Sequence, residues 1–413
     1  MNKIEKLLQT LAPDGVGFRK LGEVLEYDQP NQYCVTSKEF DKSYPTPVLT
    51  AGKTFILGYT NEKDNIYQAS KSSPVIIFDD FTTAIQWVDF PFKVKSSAMK
   101  ILLPKDPTIN IRFIFFYMQT IPYNIGGEHA RQWISRYSQI KIPIPPLEIQ
   151  QEIVKILDAF TELNTELNTE LKARKKQYEY YRNMLLDFND INQSHKDAKE
   201  KLAHKTYPKR LKALLQTLAP KGVGFKKIGE LFKRNKGINI TAAQMKELHS
   251  EIGKVRIFAG GATKADIDYK DISKKDIINC ESVIIKSRGN IGFEYYNQPF
   301  SHKNEIWSYS LKTNQMLVKF LYYYLSNNQD YFQKLAQSSS VKLPQLSVSD
   351  TDEYEVPVPP LEIQQEIVKI LDQFSILTTD LQSGIPAEIK ARKKQYEYYR
   401  EKLLTFKALQ NKE

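Results

Sequence analysis

The chain has 413 residues, of which 26% are charged and 41% hydrophobic, and its formal net charge is +11. That length has room for two to four domains, and the composition is that of a folded soluble protein, which excludes a disordered or fibrous chain. The Lys and Arg excess favours an anionic partner, most often nucleic acid, while two cysteines without a CxxC, five scattered histidines and no apolar run near ~20 residues argue against a disulfide scaffold, a metal site and a membrane span.

In chain order, Met1 to Lys6 lacks the apolar core of a signal peptide, and a reducing interior, the cytoplasm, is the expected home. Residues 1–145 read as a mixed α/β domain. Val48 to Gly52 looks like a strand end entering a glycine turn, Val75 to Phe78 like a strand, and Ile111 to Thr120 like a helix. Ile142-Pro143-Ile144-Pro145-Pro146-Leu147 then holds the chain extended, because each proline restrains the residue before it. Pro146 suits a first helical position. From there residues 146–188 read as one long helix. Its apolar residues Ile153, Leu157, Phe160, Leu163, Leu167, Leu171, Tyr178, Tyr181 and Leu185 recur mostly in threes and fours, which marks a single buried seam. At 1.5 Å per residue such a rod is roughly 60 Å long. Within it, Thr161 to Leu171 repeats a Thr-Glu-Leu-Asn unit of four residues, the step that coiled coils tolerate as a stutter. Residues 189–207 are polar and read as a connector.

The remainder of the chain is a second copy. Leu7 to Pro13 returns as Leu214 to Pro220, Pro146 to Asp158 returns letter for letter as Pro360 to Asp372, and Lys172 to Arg182 returns as Lys390 to Arg400. The second domain, residues 208–358, shares almost no sequence with the first between these blocks. Its strand-like runs Ile257 to Gly261 and Val283 to Lys286 and its helix-like run Leu317 to Asn328 nevertheless fall in comparable places. The second helical segment, 359–413, carries Gly384-Ile385-Pro386, which should break or kink it. A narrow seam needs a partner helix, and the obvious partner is the other copy. Antiparallel pairing is the cheaper geometry, since the second domain emerges where the first helix ends. Leu157, Phe160, Leu163, Leu167, Leu171, Tyr178 and Tyr181 would then meet Leu371, Phe374, Tyr396 and Tyr399 in the pairing or in subunit docking. Two separate coiled-coil arms for dimerisation are the alternative. The expected fold is α+β: two tandem α/β domains separated by long helices that pair as an antiparallel coiled coil with pseudo-two-fold symmetry.

Motifs for catalysis are missing. Pro-Pro occurs only within Ile144 to Leu147 and Val358 to Leu361, without the Asn or Asp before it and the aromatic after it that an adenine methyltransferase loop needs. Ala51-Gly52-Lys53-Thr54 mimics the end of a phosphate loop, but Pro47 stands where its first glycine belongs. Glu170-Leu171-Lys172 and Glu388-Ile389-Lys390 mimic a nuclease Glu-x-Lys and fit solvated helix faces better. Asp79-Asp80 suits a metal, a contact to cytosine amines or the cap of a turn.

The arrangement resembles the specificity subunit of type I restriction–modification systems over essentially the whole chain. The resemblance is carried by Ile142 to Leu147 with Gln150, by Val356-Pro357-Val358-Pro359-Pro360-Leu361 with Gln364, by the two matching helices and by the Thr-Glu-Leu-Asn repeat. It implies two target recognition domains, each reading one half of a bipartite double-stranded DNA sequence. It implies helices that dock two methyltransferase subunits, and restriction subunits that join them. It also implies no catalytic centre and no cofactor in this chain; S-adenosylmethionine, ATP and Mg2+ would belong to the partners. Gly384-Ile385-Pro386 departs from an unbroken second helix.

Base readout needs polar side chains at base edges and cations on phosphates. The candidates in the first domain are Lys53 and Thr54 in the stretch to Thr60, then Thr82, Thr83 and Gln86, then Lys93, Lys95, Ser96 and Ser97, and Arg131 in the loop from Gly126 to Gln132. In the second they are Gly260, Gly261, Thr263 and Lys264, then Lys286, Arg288 and Asn290, then His302, Lys303 and Asn304, and Lys342 in the run from Ser338. Arg288 and Asn290 carry side chains able to make bidentate contacts, to guanine and adenine respectively. For each residue, ordinary surface polarity is the competing reading. The basic runs Lys172 to Lys176 and Lys390 to Lys394 suit phosphates between half-sites, but fit solvated flanks or docking contacts better. Two other functions stay open at this level. A self-contained nuclease or methyltransferase would show activity alone with S-adenosylmethionine or magnesium. A structural coiled-coil adaptor would bind duplex DNA weakly and without salt dependence.

Overall fold

The proline-rich entries act as the composition demands. The Pro146 carbonyl accepts from the N–H groups of Ile149 (2.9 Å) and Gln150 (3.2 Å), and a helix runs Leu147–Leu186. Pro360 repeats this with Ile363 (3.0 Å) and Gln364 (3.2 Å), but the second segment consists of two helices, Leu361–Thr379 and Ile385–Leu404. The structure, a computed structural model, describes residues 2–50, 54–122, 131–192, 197–338, 343–379 and 384–409. Its compact units do not coincide with the two sequence copies. Unit 1 joins residues 1–168 to 388–413, and unit 2 is Thr169–Ala387. Each unit therefore takes part of the first helical segment and part of the second.

Unit 1 contains β1 (Phe18–Lys20), β2 (Leu25–Asp28), β3 (Thr46–Leu49), β4 (Ile56–Thr60), β5 (Val75–Asp79), β6 (Ile85–Val88), β7 (Lys93–Val94), β8 (Met99–Pro104) and β9 (Lys141–Pro143). One sheet has the order β2-β8-β5-β6, all antiparallel; a second has the order β4-β3-β7, with β3 and β7 parallel; β1 pairs β9. Successive residues of a strand face opposite ways, and β5 is buried on both faces. Ile76 and Phe78 join a core with Phe113, Ile149, Ile153 and Leu157, while Val75 and Ile77 join Leu49, Phe92 and Val94. The helix Ile111–Met118 starts where Asn110 Oδ1 accepts from the N–H groups of Arg112 (2.9 Å) and Phe113 (3.2 Å), an N-cap that satisfies otherwise orphaned donors. Leu403 and Leu404 share the core with Ile153 and Leu157, and Phe160 lies on Tyr399 (5.5 Å between ring centres) and Tyr396 (6.3 Å). The two helices thus run in opposite senses.

Unit 2 contains β10 (Phe225–Lys227), β11 (Phe232–Asn235), β12 (Val255–Phe258), β13 (Lys264–Ile267), β14 (Ser282–Lys286), β15 (Gly292–Tyr296), β16 (Phe300–His302), β17 (Trp307–Leu311) and β18 (Glu355–Pro357). Its sheets are β11-β17-β14-β15, β13-β12-β16 with β12 and β16 parallel, and β10-β18. Strand for strand this is the topology of unit 1, from a sequence that shares almost none of its residues. Tyr181 (5.3 Å) and Tyr178 (6.2 Å) pack on Phe374, and Leu185 shares a core with Ile363, Ile367 and Leu371. Here too the helices are antiparallel.

The joint between helix and domain is also repeated. Arg112 donates to Asp158 (2.8 Å) in unit 1, and Lys319 donates to Asp372 (2.7 Å) in unit 2. Chain closure repeats as well: Val16 N–H donates to the Lys407 carbonyl (2.9 Å), as Val223 N–H does to that of Ile191 (2.8 Å). Phe406 meets Phe113 edge-on as Phe188 meets Phe320. The last described residues of the chain therefore do for unit 1 what the connector after the first helix does for unit 2.

Candidate nucleic-acid interface

Three loops and the end of β3 meet at one rim of unit 1, and backbone hydrogen bonds join them. Lys95 N–H donates to the Leu49 carbonyl (2.8 Å), linking the 95–98 loop to the end of β3. Asp80 N–H donates to the Ala98 carbonyl (3.2 Å), and Gln132 N–H to the Asp80 carbonyl (2.8 Å). Unit 2 builds the same rim. Lys303 N–H donates to the Phe258 carbonyl (2.9 Å), Leu346 N–H to that of Ser287 (2.9 Å) and Gly289 N–H to that of Pro344 (2.9 Å), while Ser287 Oγ donates to the Glu305 carbonyl (2.6 Å). Loops far apart in sequence thus gather where strands of both sheets end.

Most candidates stand on these rims. In unit 1, Thr54, Thr82, Lys95, Ser96 and Arg131 are exposed, and Thr83 and Ser97 half-buried. In unit 2, Gly261, Thr263, Lys264, Arg288, Asn290 and Asn304 are exposed, and Gly260 and Lys303 half-buried. Gln86 is exposed on the edge strand β6, past the turn. Lys53, the loop 126–130 and Lys342 lie outside the described residues. Each rim mixes cations with hydroxyls, and that of unit 2 adds the amides of Asn290 and Asn304; these are the side-chain types that duplex recognition uses on phosphates and base edges.

Three residues expected on the surface are inside. Lys93 is buried; its Nζ binds Glu62 (2.5 Å) and donates to the Asp64 carbonyl (3.0 Å). Burial alone would raise the Glu62 carboxyl, but that ammonium and the N–H groups of Ser37 and Thr36 hold it at about 2. Lys286 is buried over the Phe258 ring (4.8 Å) and donates to the Ala259 carbonyl (3.2 Å); burial lowers its pKa. His302 is fully buried. Its Nδ1 lies 3.2 Å from the Lys303 carbonyl and its Nε2 3.2 Å from Ser308 Oγ. Burial pushes its pKa down. These three hold the rims from within. Polarity in the sequence marked loops that the fold brings together but did not distinguish a side chain that faces out from one that faces in.

Asp79-Asp80 resolves into two structural roles. Asp79 caps the turn after β5: Oδ1 accepts from Phe81 N–H (2.9 Å) and Thr82 N–H (3.2 Å), and Oδ2 from Thr82 Oγ1 (2.6 Å). Asp80 is buried beside Lys100. Thr83 comes next in the turn at φ 60°, in the left-handed region that a β-branched residue rarely adopts. In unit 2 the corresponding turn places Gly289 at φ 74°. Sequence reasoning missed Lys100; the signal was a lone lysine inside the apolar run Met99 to Leu103. Among the described residues no group of three or more His, Cys, Asp or Glu is placed to hold a metal ion, and no helix is long and apolar enough to cross a membrane. Tyr180 and Tyr398 on the helices are exposed, as are Lys172, Lys175 and Lys176 and their copies Lys390, Lys393 and Lys394.

Comparison with known proteins gives a consistent result. The model of the type I restriction modification DNA specificity domain matches twice, at residues 13–176 and 220–391. The Escherichia coli type I restriction enzyme EcoR124I/EcoR124II specificity subunit is 37% identical over 429 residues, covering 98% of this chain and 97% of that protein. In fold, the chain is similar to the type I restriction–modification S subunit of M. genitalium, with a TM-score of 0.59 at 17% identity over 94% of this chain and 95% of that one. It is also similar to a chain from a study of complex assembly and conformational transition in the type I system, with a TM-score of 0.50 at 16% identity over 94% and 97%.

Proposed function

Since this chain belongs to the type I restriction–modification specificity subunits and is a DNA-recognition rather than a catalytic subunit, we propose that each of its two units reads one half of a bipartite duplex target. The observation that carries this reading is the repeated rim: one topology, one set of converging loops and two unrelated sets of exposed side chains. A shared frame with different readers suits two different half-sites. The bases between them would go unread.

S subunits bind DNA and assemble with other subunits. For this chain we propose two methyltransferase subunits as partners, one for each copy of the scaffold, joined by restriction subunits in the cytoplasm. The support is the duplication itself, because Gln150 and Gln364, Arg112 and Lys319, and Asp158 and Asp372 present the same joint twice. S-adenosylmethionine, ATP and Mg2+ would be used by those partners.

The test is a whole-genome map of modified bases with and without this gene. Loss of methylation at a motif with two specified halves and a fixed unread gap is the expected result. Loss of a contiguous motif would overturn the bipartite reading.

A further inference from the structure

One buried group of side chains ties three loops of the unit 1 rim together from below. Lys100 Nζ lies 3.6 Å from Asp80 Oδ2, with the two side chains 2% and 1% exposed. Asp80 Oδ1 accepts from the N–H groups of Trp133 (2.9 Å) and Gln132 (3.1 Å), so this carboxylate fixes the segment that begins at Arg131. Asp80 also adjoins Asp79, which caps the Thr82 turn. On the other side, Lys100 Nζ donates to Gln29 Oε1, and Gln29 Nε2 donates to the Ser97 carbonyl (2.8 Å). The 131–133 segment, the 80–83 turn and the 95–98 loop thus share one internal brace.

The fold does not require these charges. Desolvation makes a buried ion pair weak as a stabiliser, and well-packed apolar residues often serve as well. Unit 2 shows this within the same chain. Ser287 takes the place of Asp80, its carbonyl accepting from Leu346 as that of Asp80 does from Gln132. Trp307 takes the place of Lys100: it pairs with Ile285 as Lys100 pairs with Phe78. The sheets keep their order without the pair. What the pair adds in unit 1 is geometry. Asp80 holds the backbone N–H groups of Gln132 and Trp133 and Gln29 holds the Ser97 carbonyl at hydrogen-bond distances, with Lys100 between the two side chains, while apolar packing leaves more freedom.

We infer that Asp80, Lys100 and Gln29 are positioning residues for base readout by unit 1. They touch no DNA and set the spacing of Thr82, Thr83, Lys95, Ser96, Ser97 and Arg131. The inference rests on the reading of the rim as the DNA-facing surface.

The test uses the full chain assembled with its methyltransferase subunits, acting on a duplex pool randomised in both half-sites, with methylated products sequenced. The variants are the charge-free double replacement Asp80→Asn with Lys100→Met, and Gln29→Met at a half-buried position. Base discrimination should fall by about ten-fold at one half-site and stay within about two-fold at the other, with the unfolding midpoint near that of the unmodified chain. Unchanged discrimination at both half-sites in a folded variant would overturn the proposal, as would an equal loss at both. A merely structural defect would lower total methylation without altering base preference at one half, and that outcome too counts against it. If the double variant does not fold, Gln29→Met decides by the same criteria. An unmodified complex with no base preference anywhere would remove the DNA-facing reading itself, and with it the proposal.

Discussion

Gln150 and Gln364 make the same three hydrogen bonds in the two units. Gln150 Oε1 accepts from Asn110 N–H (2.8 Å), and its Nε2 donates to the carbonyls of Pro145 (2.8 Å) and Thr108 (3.0 Å). Gln364 Oε1 accepts from Leu317 N–H (2.8 Å), and its Nε2 donates to those of Pro359 (2.7 Å) and Gln315 (2.8 Å). Both side chains are fully buried. Each carboxamide pins the start of a domain helix to the start of a scaffold helix, so the domains differ in sequence while the joint does not. Replacing either by Ala leaves buried backbone groups unpaired and should cost about 2–3 kcal/mol. Urea unfolding of Gln150→Ala, Gln364→Ala and the double variant checks this. The two effects should add, because they lie in different units.

Glu62 predicts an acid limb. Its carboxyl is held at about 2 in the folded chain, against about 4.3 when unfolded. A depressed carboxyl contributes stability above the unfolded value and loses it as pH falls through the folded one. Glu62→Gln should therefore be less stable at neutral pH, and its unfolding midpoint should fall less steeply from pH 5 to pH 2. Parallel curves for the two proteins would refute the assignment.

Thr83 carries backbone strain at φ 60°. Glycine there relieves the clash of a β-branched residue in the left-handed region, so Thr83→Gly should stabilise by about 0.5–1 kcal/mol. Calorimetry measures it. A lower unfolding midpoint would mean that the threonine side chain contributes more than its backbone costs.

On the proposed reading of the rims as DNA-facing, their exposed cations should set the salt dependence of binding. Lys95→Gln and Lys264→Gln should each reduce the slope of log affinity against log salt by about 1 without changing base preference. Arg288→Ala should instead relax discrimination at one half-site, by about 1–3 kcal/mol. Binding isotherms at several salt concentrations separate the two behaviours.

Gly15 sits at φ 117°, and a Cβ there would lie 2.7 Å from the Ala408 carbonyl oxygen. Gly15→Ala should loosen the chain's last described segment from unit 1 and speed proteolysis at 405–409, while cleavage within 187–192 of unit 2 stays as it was.

The duplication, the helix starts, the seam, the Val75 and Val283 strands and the loops worth watching were all legible in the sequence. Each is a local property: a repeat, a proline run, an apolar spacing, a cluster of polar residues between strands. Periodicity alone placed Leu157, Phe160, Tyr178 and Tyr181 on one face, and the structure packs Phe160 on Tyr399 and Tyr181 on Phe374. Only the tertiary structure decided which polar residues of those loops face inward. Lys93 and Lys95 are two residues apart in one segment, yet one is buried against Glu62 and the other exposed. It also decided that Asp80 meets Lys100, because that contact arises from the register of β5 on β8. Burial and register are set by which surfaces the whole chain removes from water together, and no stretch of residues carries that information alone.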